Sequence, residues 1–162
     1  MTQAIIVMGV TGSGKSTLGQ ALAHALRWPF VEGDSLHPPA NLAKMSAGIP
    51  LDDADRIPFL ENVAQVLRSH SGPLVISCSA LKRAYRDRLR RADPKLRFVH
   101  PVLSRAQLQE RMQRRIGHFM PATLLKSQLL DLEPPGPDEQ CIKIDGSEPL
   151  DRQVAGTLAA LV

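Results

Sequence analysis

The chain has 162 residues, a length that fits one domain with a substantial buried core. Hydrophobic residues make up 43% and charged residues 22% of the chain, which is ordinary globular usage, and the net charge of +4 requires no nucleic-acid partner. Two cysteines, Cys78 and Cys141, are too few for a disulfide framework, so we expect reduced thiols and a cytoplasmic location. No apolar run approaches the roughly 20 residues of a membrane span, and no membrane partner is expected.

The first predicted element is a short buried strand over residues 4–8, followed by Gly-Val-Thr-Gly-Ser-Gly-Lys-Ser and an Ala/Leu-rich helix. This strand–loop–helix context is the one that a phosphate-binding loop requires. Because the loop begins at residue 9, we expect no signal or transit peptide before the fold. Its glycines allow backbone N–H groups to point at nucleotide phosphates, and the helix N-terminus adds partial positive charge. Lys15 adds a full charge, and Ser16 is placed to ligate Mg²⁺. The predicted nucleotide-binding residues are Gly9, Val10, Thr11, Gly12, Ser13, Gly14, Lys15, Ser16 and Thr17.

A second strand is predicted over residues 28–31, followed by the segment Glu-Gly-Asp-Ser-Leu-His-Pro. Asp34 in this segment can orient an acceptor hydroxyl, accept its proton, or hold a water on Mg²⁺. Alternatively, Asp34 only caps the helix predicted over residues 39–47. His37 is a weaker candidate, because a lone histidine before a proline is often a plain loop residue.

A cluster of aspartates, residues 52–55, opens the next predicted helix. Capping is the simpler role for Asp52 and Asp55, and Pro58 is tolerated if it lies in the first turn. Arg56 is different, because an arginine beside an acceptor pocket can bind a substrate carboxylate through two parallel hydrogen bonds.

A third strand is predicted over residues 74–77, with an amphipathic helix that runs to about residue 91. Lys82 and Arg86 share one face of this helix near its start. Positive charge there opposes the helix dipole, which favours a ligand for both side chains. Arg83 and Asp87 are predicted to form an exposed i,i+4 ion pair.

A fourth strand is predicted over residues 97–103, and Ser104 with Gln107 forms a capping box for the next helix. The basic segment 111–121 suits a lid that closes on nucleotide phosphates and excludes water. A nucleic-acid-binding role is the alternative, but aromatic residues make up only 4% of the chain, too few for a base-stacking platform. A Pro-rich loop over 132–138, a fifth strand over 141–145 and a closing helix over 150–162 follow.

Strands that alternate with helices predict a single α/β domain with a parallel, doubly wound sheet and ligands at the carboxyl ends of the strands. The chain lacks the Asn-Lys-x-Asp segment of guanine-reading GTPases and is too short for a large ATPase. A small-molecule kinase remains.

The chain also resembles the bacterial gluconokinases of the small phosphate-loop type, which are related to shikimate and adenylate kinases. The resemblance spans nearly the whole chain and is carried by the phosphate loop, Gly33–Pro38, Asn41–Met45, Gly48–Leu51, Asp53–Arg56, Cys78–Lys82, Tyr85–Asp87, Gly117–Phe119 and Leu132–Pro134. It implies a P-loop NTPase fold with a five-stranded parallel sheet in one domain, 1–162, and a mobile lid over about 112–122. Ile116 and Met120 flank the lid motif where relatives can carry other residues.

The resemblance further implies transfer of the ATP γ-phosphoryl group to the 6-hydroxyl of D-gluconate, with Mg²⁺, and allows for a homodimer. The implied catalytic residues are Lys15, Asp34 and Arg115, with Arg111 stacked on adenine. The implied gluconate-binding residues are Asp34, His37, Arg56, Lys82, Arg86 and His118. Two alternatives remain: a kinase for another small acid such as shikimate, and a nucleotide-dependent regulatory protein without transfer activity. Asp34 and the basic lid argue against the second.

Overall fold

The computed structural model describes residues 3–114 and 123–162. Within these ranges the strands are β1 (Ala4–Val7), β2 (Phe30–Glu32), β3 (Leu74–Ser77), β4 (Arg97–Val102) and β5 (Ile142–Asp145). The helices are α1 (Lys15–Leu26), α2 (Pro39–Ser46), α3 (Asp53–Ser69), α4 (Arg83–Ala92), α5 (Arg105–Arg114), α6 (Thr123–Asp131) and α7 (Leu150–Leu161). The strands form one parallel sheet in the order β2-β3-β1-β4-β5, which confirms the predicted fold class. Most of the predicted lid lies outside the described residues.

Two hydrophobic layers cover the sheet, one on each face. Alternate residues of a strand point to opposite faces, so Ile5 packs with α1 and α7 while Ile6 packs with α3 and α4. Both isoleucines are fully buried. Burial of such a side chain contributes roughly 1.5–3 kcal/mol relative to exposure, so the central strand β1 is firmly held beneath the loop that follows it.

Capping boxes open two helices: the one predicted at the start of α5, and one at the start of α3, where the sequence predicted only that aspartates cap the helix. The Asp55 N–H donates to Asp52 Oδ1 at 2.7 Å, and the Asp52 N–H donates to Asp55 Oδ2 at 3.1 Å. Ser104 and Gln107 exchange the equivalent hydrogen bonds at the start of α5. Pro58 lies beyond the first turn of α3, so the condition under which a proline is easily tolerated there is not met. Its side of the helix is exposed, so water can satisfy the carbonyl that loses an N–H partner.

The carboxyl ends of β1, β3 and β2 meet at one edge of the sheet, where Val7 is paired with Ser77 and Ser77 with Glu32. Gly33 follows directly and passes so close to β3 that a Cβ atom on it would lie 1.8 Å from the Ser77 carbonyl oxygen. Only glycine fits there. This close passage leads the chain after β2 across the end of β3, toward the loop that follows β1.

Candidate active site

The loop between β1 and α1 has an open, electropositive end. Gly14 has a φ of 84°, a left-handed conformation that suits glycine, and α1 begins at the next residue with no side-chain cap and no acid in its first turn. Among the described residues, none accepts a hydrogen bond from the N–H groups of Gly14, Lys15 or Ser16. Unpartnered N–H groups at a helix N-terminus are suited to bind an anion, and their binding of nucleotide phosphates stays a prediction.

Two hydrogen bonds to residues outside the loop hold its backbone near residues 9–11. The Thr11 N–H donates to Gln128 Oε1 of α6 at 2.6 Å, and the Gly9 N–H donates to the Ser79 carbonyl at 3.2 Å. Both contacts join the loop to distant parts of the chain. They fix the loop in place before any phosphate arrives.

Ser16, the predicted Mg²⁺ ligand, lies beside a carboxylate that the sequence analysis did not identify. The Ser16 hydroxyl donates to Glu32 Oε1 at 2.9 Å, and the Ser77 hydroxyl donates to the same oxygen at 2.6 Å. Hydroxyl and carboxylate oxygens at a phosphate site are the donors that Mg²⁺ takes, usually with several waters retained. The residues present therefore fit this metal.

One cleft joins the phosphate loop to the predicted acceptor residues. Lys15, Asp34, His37 and Arg56 all line it. The other lining residues are Met45, Pro50, Leu51, Phe59, Ser79, Leu124, Ser127 and Gln128. The structure thus brings together four of the predicted site residues, from three separate segments.

Asp34 is half-buried in this cleft and does not cap a helix. The N-cap of α2 is Pro38, and Asp34 itself lies inside a 3-10 turn over Gly33–Leu36. Within the described part of the chain, no residue forms a hydrogen bond or an ion pair with the Asp34 carboxylate. Its oxygens are therefore available to a ligand.

His37 is held as a neutral hydrogen-bond donor. Its ring stacks on Phe59 with centroids 3.8 Å apart, and Asn41 Nδ2 lies 3.2 Å from Nδ1. Because Asn41 Nδ2 also donates to the Asp55 carbonyl, it is the donor to His37, and the ring proton sits on Nε2. Burial lowers the pKa of His37 to about 4, although the charge of Asp34 acts in the opposite direction.

Arg56 is buried, with 7% of its surface exposed, and lines the same cleft. Its Nη1 donates to the Tyr85 hydroxyl at 3.2 Å and to Asp131 Oδ2 of α6 at 2.9 Å. Burial alone lowers the pKa of Arg56, but these hydrogen bonds outweigh burial and raise it. A permanent positive charge therefore faces the cleft.

Lys82 and Arg86 both have partners within the protein, and substrate binding by Lys82 stays a prediction. Lys82 forms an ion pair with Asp53 at 2.9 Å and, in the described structure, is not among the residues that line the cleft.

The prediction that Arg86 binds substrate is wrong, because its guanidinium is fully buried and all five of its N–H donors are used. They reach the Glu139 carboxylate and the carbonyls of Ala80, Leu81 and Glu133. The ligand that the sequence suggested for Arg86 is thus the protein itself.

Arg111 contacts the phosphate loop from α5. Its guanidinium donates to the Gly12 carbonyl at 3.4 Å and to the Gly146 carbonyl, after β5, at 2.9 Å. This position suits the predicted contact with a nucleotide, and the stacking itself stays a prediction. Arg115 and His118 lie outside the described residues.

Comparisons with known proteins agree on the family. The shikimate kinase family model matches residues 11–129. The gluconokinase of Gluconobacter oxydans is 52% identical over 147 residues, which cover 89% of this chain and 83% of that protein. The thermosensitive gluconokinase of Escherichia coli is 46% identical over 147 residues, covering 88% of this chain and 79% of that protein.

Solved structures agree as well. A gluconokinase from Sinorhizobium meliloti superposes with a TM-score of 0.91 at 51% identity, over 98% of this chain and 91% of that one. An APS kinase from Mycobacterium tuberculosis, with a TM-score of 0.68 at 17% identity over 99% of this chain and 97% of that one, shares the fold alone. The chain belongs to the gluconokinase family of small phosphate-loop kinases.

Proposed function

We propose that the protein is an ATP-dependent gluconokinase that phosphorylates the 6-hydroxyl of D-gluconate. The observation that carries the proposal is the cleft that holds Lys15 of the phosphate loop, the buried Arg56, and Asp34, whose carboxylate has no partner among residues 3–114 and 123–162. Gluconate is a polyol with one carboxylate, so it needs a cation at one end and a proton acceptor at the other. Arg56 supplies the first and Asp34 the second.

In the proposed reaction, the 6-hydroxyl oxygen forms a bond to the γ-phosphorus while the bond from that phosphorus to the β–γ bridging oxygen breaks. The hydroxyl proton passes to Asp34, and ADP leaves with the bridging oxygen. Lys15 and the N–H groups at the start of α1 offset negative charge on the phosphates. His37 donates from Nε2 to a gluconate hydroxyl. Most of the catalytic effect in this scheme is positioning and charge stabilisation.

Mg²⁺ is part of the proposal. Ser16 and Glu32 are the residues that would hold it, Glu32 directly or through water, because their oxygens lie 2.9 Å apart at the start of α1. When bound, the ion neutralises charge on the β- and γ-phosphate oxygens.

The roles of Arg111 on adenine, of Arg115 on the phosphates and of His118 on gluconate rest on the resemblance. So do a lid over about 112–122, a cytoplasmic location and a homodimeric state. Within the described residues, no helix has the length and apolar character needed to cross a membrane.

A coupled ADP-release assay with gluconate, shikimate and other sugar acids tests the proposal. We expect gluconate-dependent ADP release with a kcat/KM for gluconate that exceeds that of every other acid tested. Preferential turnover of shikimate would assign the protein to the other acceptor. Nucleotide binding without ADP release on any acceptor would instead favour a regulatory protein.

A further inference from the structure

Helix α6 follows the undescribed segment 115–122 and contacts both ends of the cleft. Gln128 binds the phosphate loop through the Thr11 N–H, and Asp131 binds Arg56 on α3. Residues three apart lie on the same side of a helix, so one side of α6 holds both contacts. The distance between the phosphate loop and Arg56 is therefore set in part by α6.

The contacts of Arg56 leave one edge of its guanidinium free. The two hydrogens of Nη1 are used by Tyr85 and Asp131. In the described ranges, 3–114 and 123–162, no residue accepts a hydrogen bond from Nε or Nη2. The N–H groups of Nε and Nη2 are parallel and match the two oxygens of a carboxylate. A buried arginine whose Nε–Nη2 edge has no partner in the described ranges is suited to bind a planar anion such as a carboxylate.

We propose that Asp131, together with Tyr85, is a positioning residue that holds Arg56 with its Nε–Nη2 edge toward the substrate carboxylate. The inference rests on the proposed gluconokinase function and adds residues that touch no substrate atom. Asp131 accepts a hydrogen bond from only one nitrogen of Arg56, Nη1, so it orients the guanidinium without occupying the recognition edge. Tyr85 fixes the second hydrogen of the same nitrogen, and its own hydroxyl donates to Asp53. The guanidinium plane is thereby set from two sides.

Steady-state kinetics of Asp131→Asn test the proposal, because asparagine keeps the shape and removes the charge. We expect the KM for gluconate to rise about tenfold, the equivalent of one hydrogen bond to a charged group, while kcat and the KM for ATP change less than about threefold. Tyr85→Phe should raise the gluconate KM in the same direction by a smaller factor. Asp138→Asn is the matched control, since Asp138 pairs with Arg83 on the surface and should leave all three constants unchanged.

A double-mutant cycle separates positioning from general stabilisation. In an Arg56→Ala background, Asp131→Asn should cause no further increase in the gluconate KM, because the group it orients is absent. Equal increases in both backgrounds, or an unchanged KM in the single variant with a normal melting temperature, would overturn the positioning role while wild-type turnover of gluconate still stands. Wild-type protein without gluconate turnover would overturn the proposed function and this inference together.

Discussion

Replacement of Arg86 by alanine should destabilise the fold while leaving gluconate binding nearly intact. Arg86 is fully buried, and its partner carboxylate, Glu139, has a side chain only 1% exposed. The Arg86 side chain also donates to three backbone carbonyls that join the start of α4 to the loop before β5. Its removal leaves Glu139 with Arg90 and the Gly136 N–H as hydrogen-bond donors.

The magnitude follows from the burial of both charges. Loss of one partner of a buried ion pair typically costs about 3–5 kcal/mol, because the other charge stays buried and its remaining partners, here Arg90 and the Gly136 N–H, compensate it only in part. For a protein of this size, each kcal/mol lowers the melting temperature by about 2–4 °C, so we expect a decrease of roughly 6–20 °C.

The pair also has a distinct acid signature. Burial alone raises the pKa of Glu139, but hydrogen bonds from Arg86, the Gly136 N–H and Arg90 outweigh it and lower the pKa to about 2. A carboxyl with a lowered pKa in the folded state stabilises that state above its unfolded pKa, near 4.5. This stabilisation is lost as the pH falls from about 4.5 through 2. Arg86→Ala should weaken the pH dependence of the unfolding free energy in this window.

Urea unfolding at pH 7 and pH 3.5, with gluconate kinetics on the same samples, provides the measurement. Arg83→Ala is the matched control, because Arg83 lies on the same helix and pairs with Asp87 and Asp138 at the surface. Its loss should cost only about 0.2–1 kcal/mol per pair. An Arg86→Ala protein with wild-type stability and a much higher gluconate KM would refute this account and restore Arg86 to the substrate site.

Lys15→Ala should nearly abolish phosphoryl transfer in a folded protein, since its charge opposes that of the transferring group; wild-type turnover with unchanged circular dichroism would contradict this. Asp34→Asn should lower kcat at least about 100-fold, the low end of general-base contributions, with little change in ATP affinity; a change confined to the gluconate KM would make Asp34 a binding residue. Arg56→Ala should weaken the binding of gluconate by about 1.5–3 kcal/mol, whereas any turnover of sorbitol, a neutral polyol without a carboxylate, should be unchanged. Equal loss of activity on gluconate and on sorbitol would exclude recognition of the carboxylate by Arg56. Burial lowers the pKa values of His37 and His100 to about 4, below the unfolded value of 6.5, so the unfolding free energy should fall as the pH drops from 6.5 toward 4, by up to about 1.4 kcal/mol per pH unit for each histidine. His100→Phe should reduce that slope by about half in pH-dependent urea unfolding, and an unchanged slope would show that burial does not lower the pKa of His100 in the folded protein.

Local sequence patterns predicted the strands and the phosphate loop, because β-branched runs and glycine spacing are properties of neighbouring residues. The role of Arg86 could not be predicted in this way. Positive charge near the start of α4 correctly indicated an anionic partner, but that partner, Glu139, lies 53 residues away along the chain. Only the folded chain distinguishes a buried carboxylate of the protein from one supplied by substrate.

Helix α6 was not predicted from the sequence, which gave no assignment for residues 123–131. Its leucines are compatible with a helix, but the contacts that matter are the Gln128–Thr11 and Asp131–Arg56 hydrogen bonds, which join residues 117 and 75 positions apart. Glu32 was overlooked for a simpler reason. The segment was interpreted from Asp34, two residues later. A carboxylate at the end of β2 nevertheless also indicates a site at this edge of the sheet.

Because β1 lies in the middle of the sheet, different segments of the chain form the two ends of the cleft. In the proposed function, the loop after β1 and Arg111 bind the nucleotide, whereas Asp34, Arg56 and α6 bind or position the acceptor. Acceptor preference can therefore be altered by substitutions in residues 35–56 and 124–131 other than Gln128, which leave Asp34 and the contact that holds the phosphate loop unchanged. A library of variants confined to these two segments, and selected for growth or activity on sugar acids of different chain length, should therefore yield kinases with new acceptors.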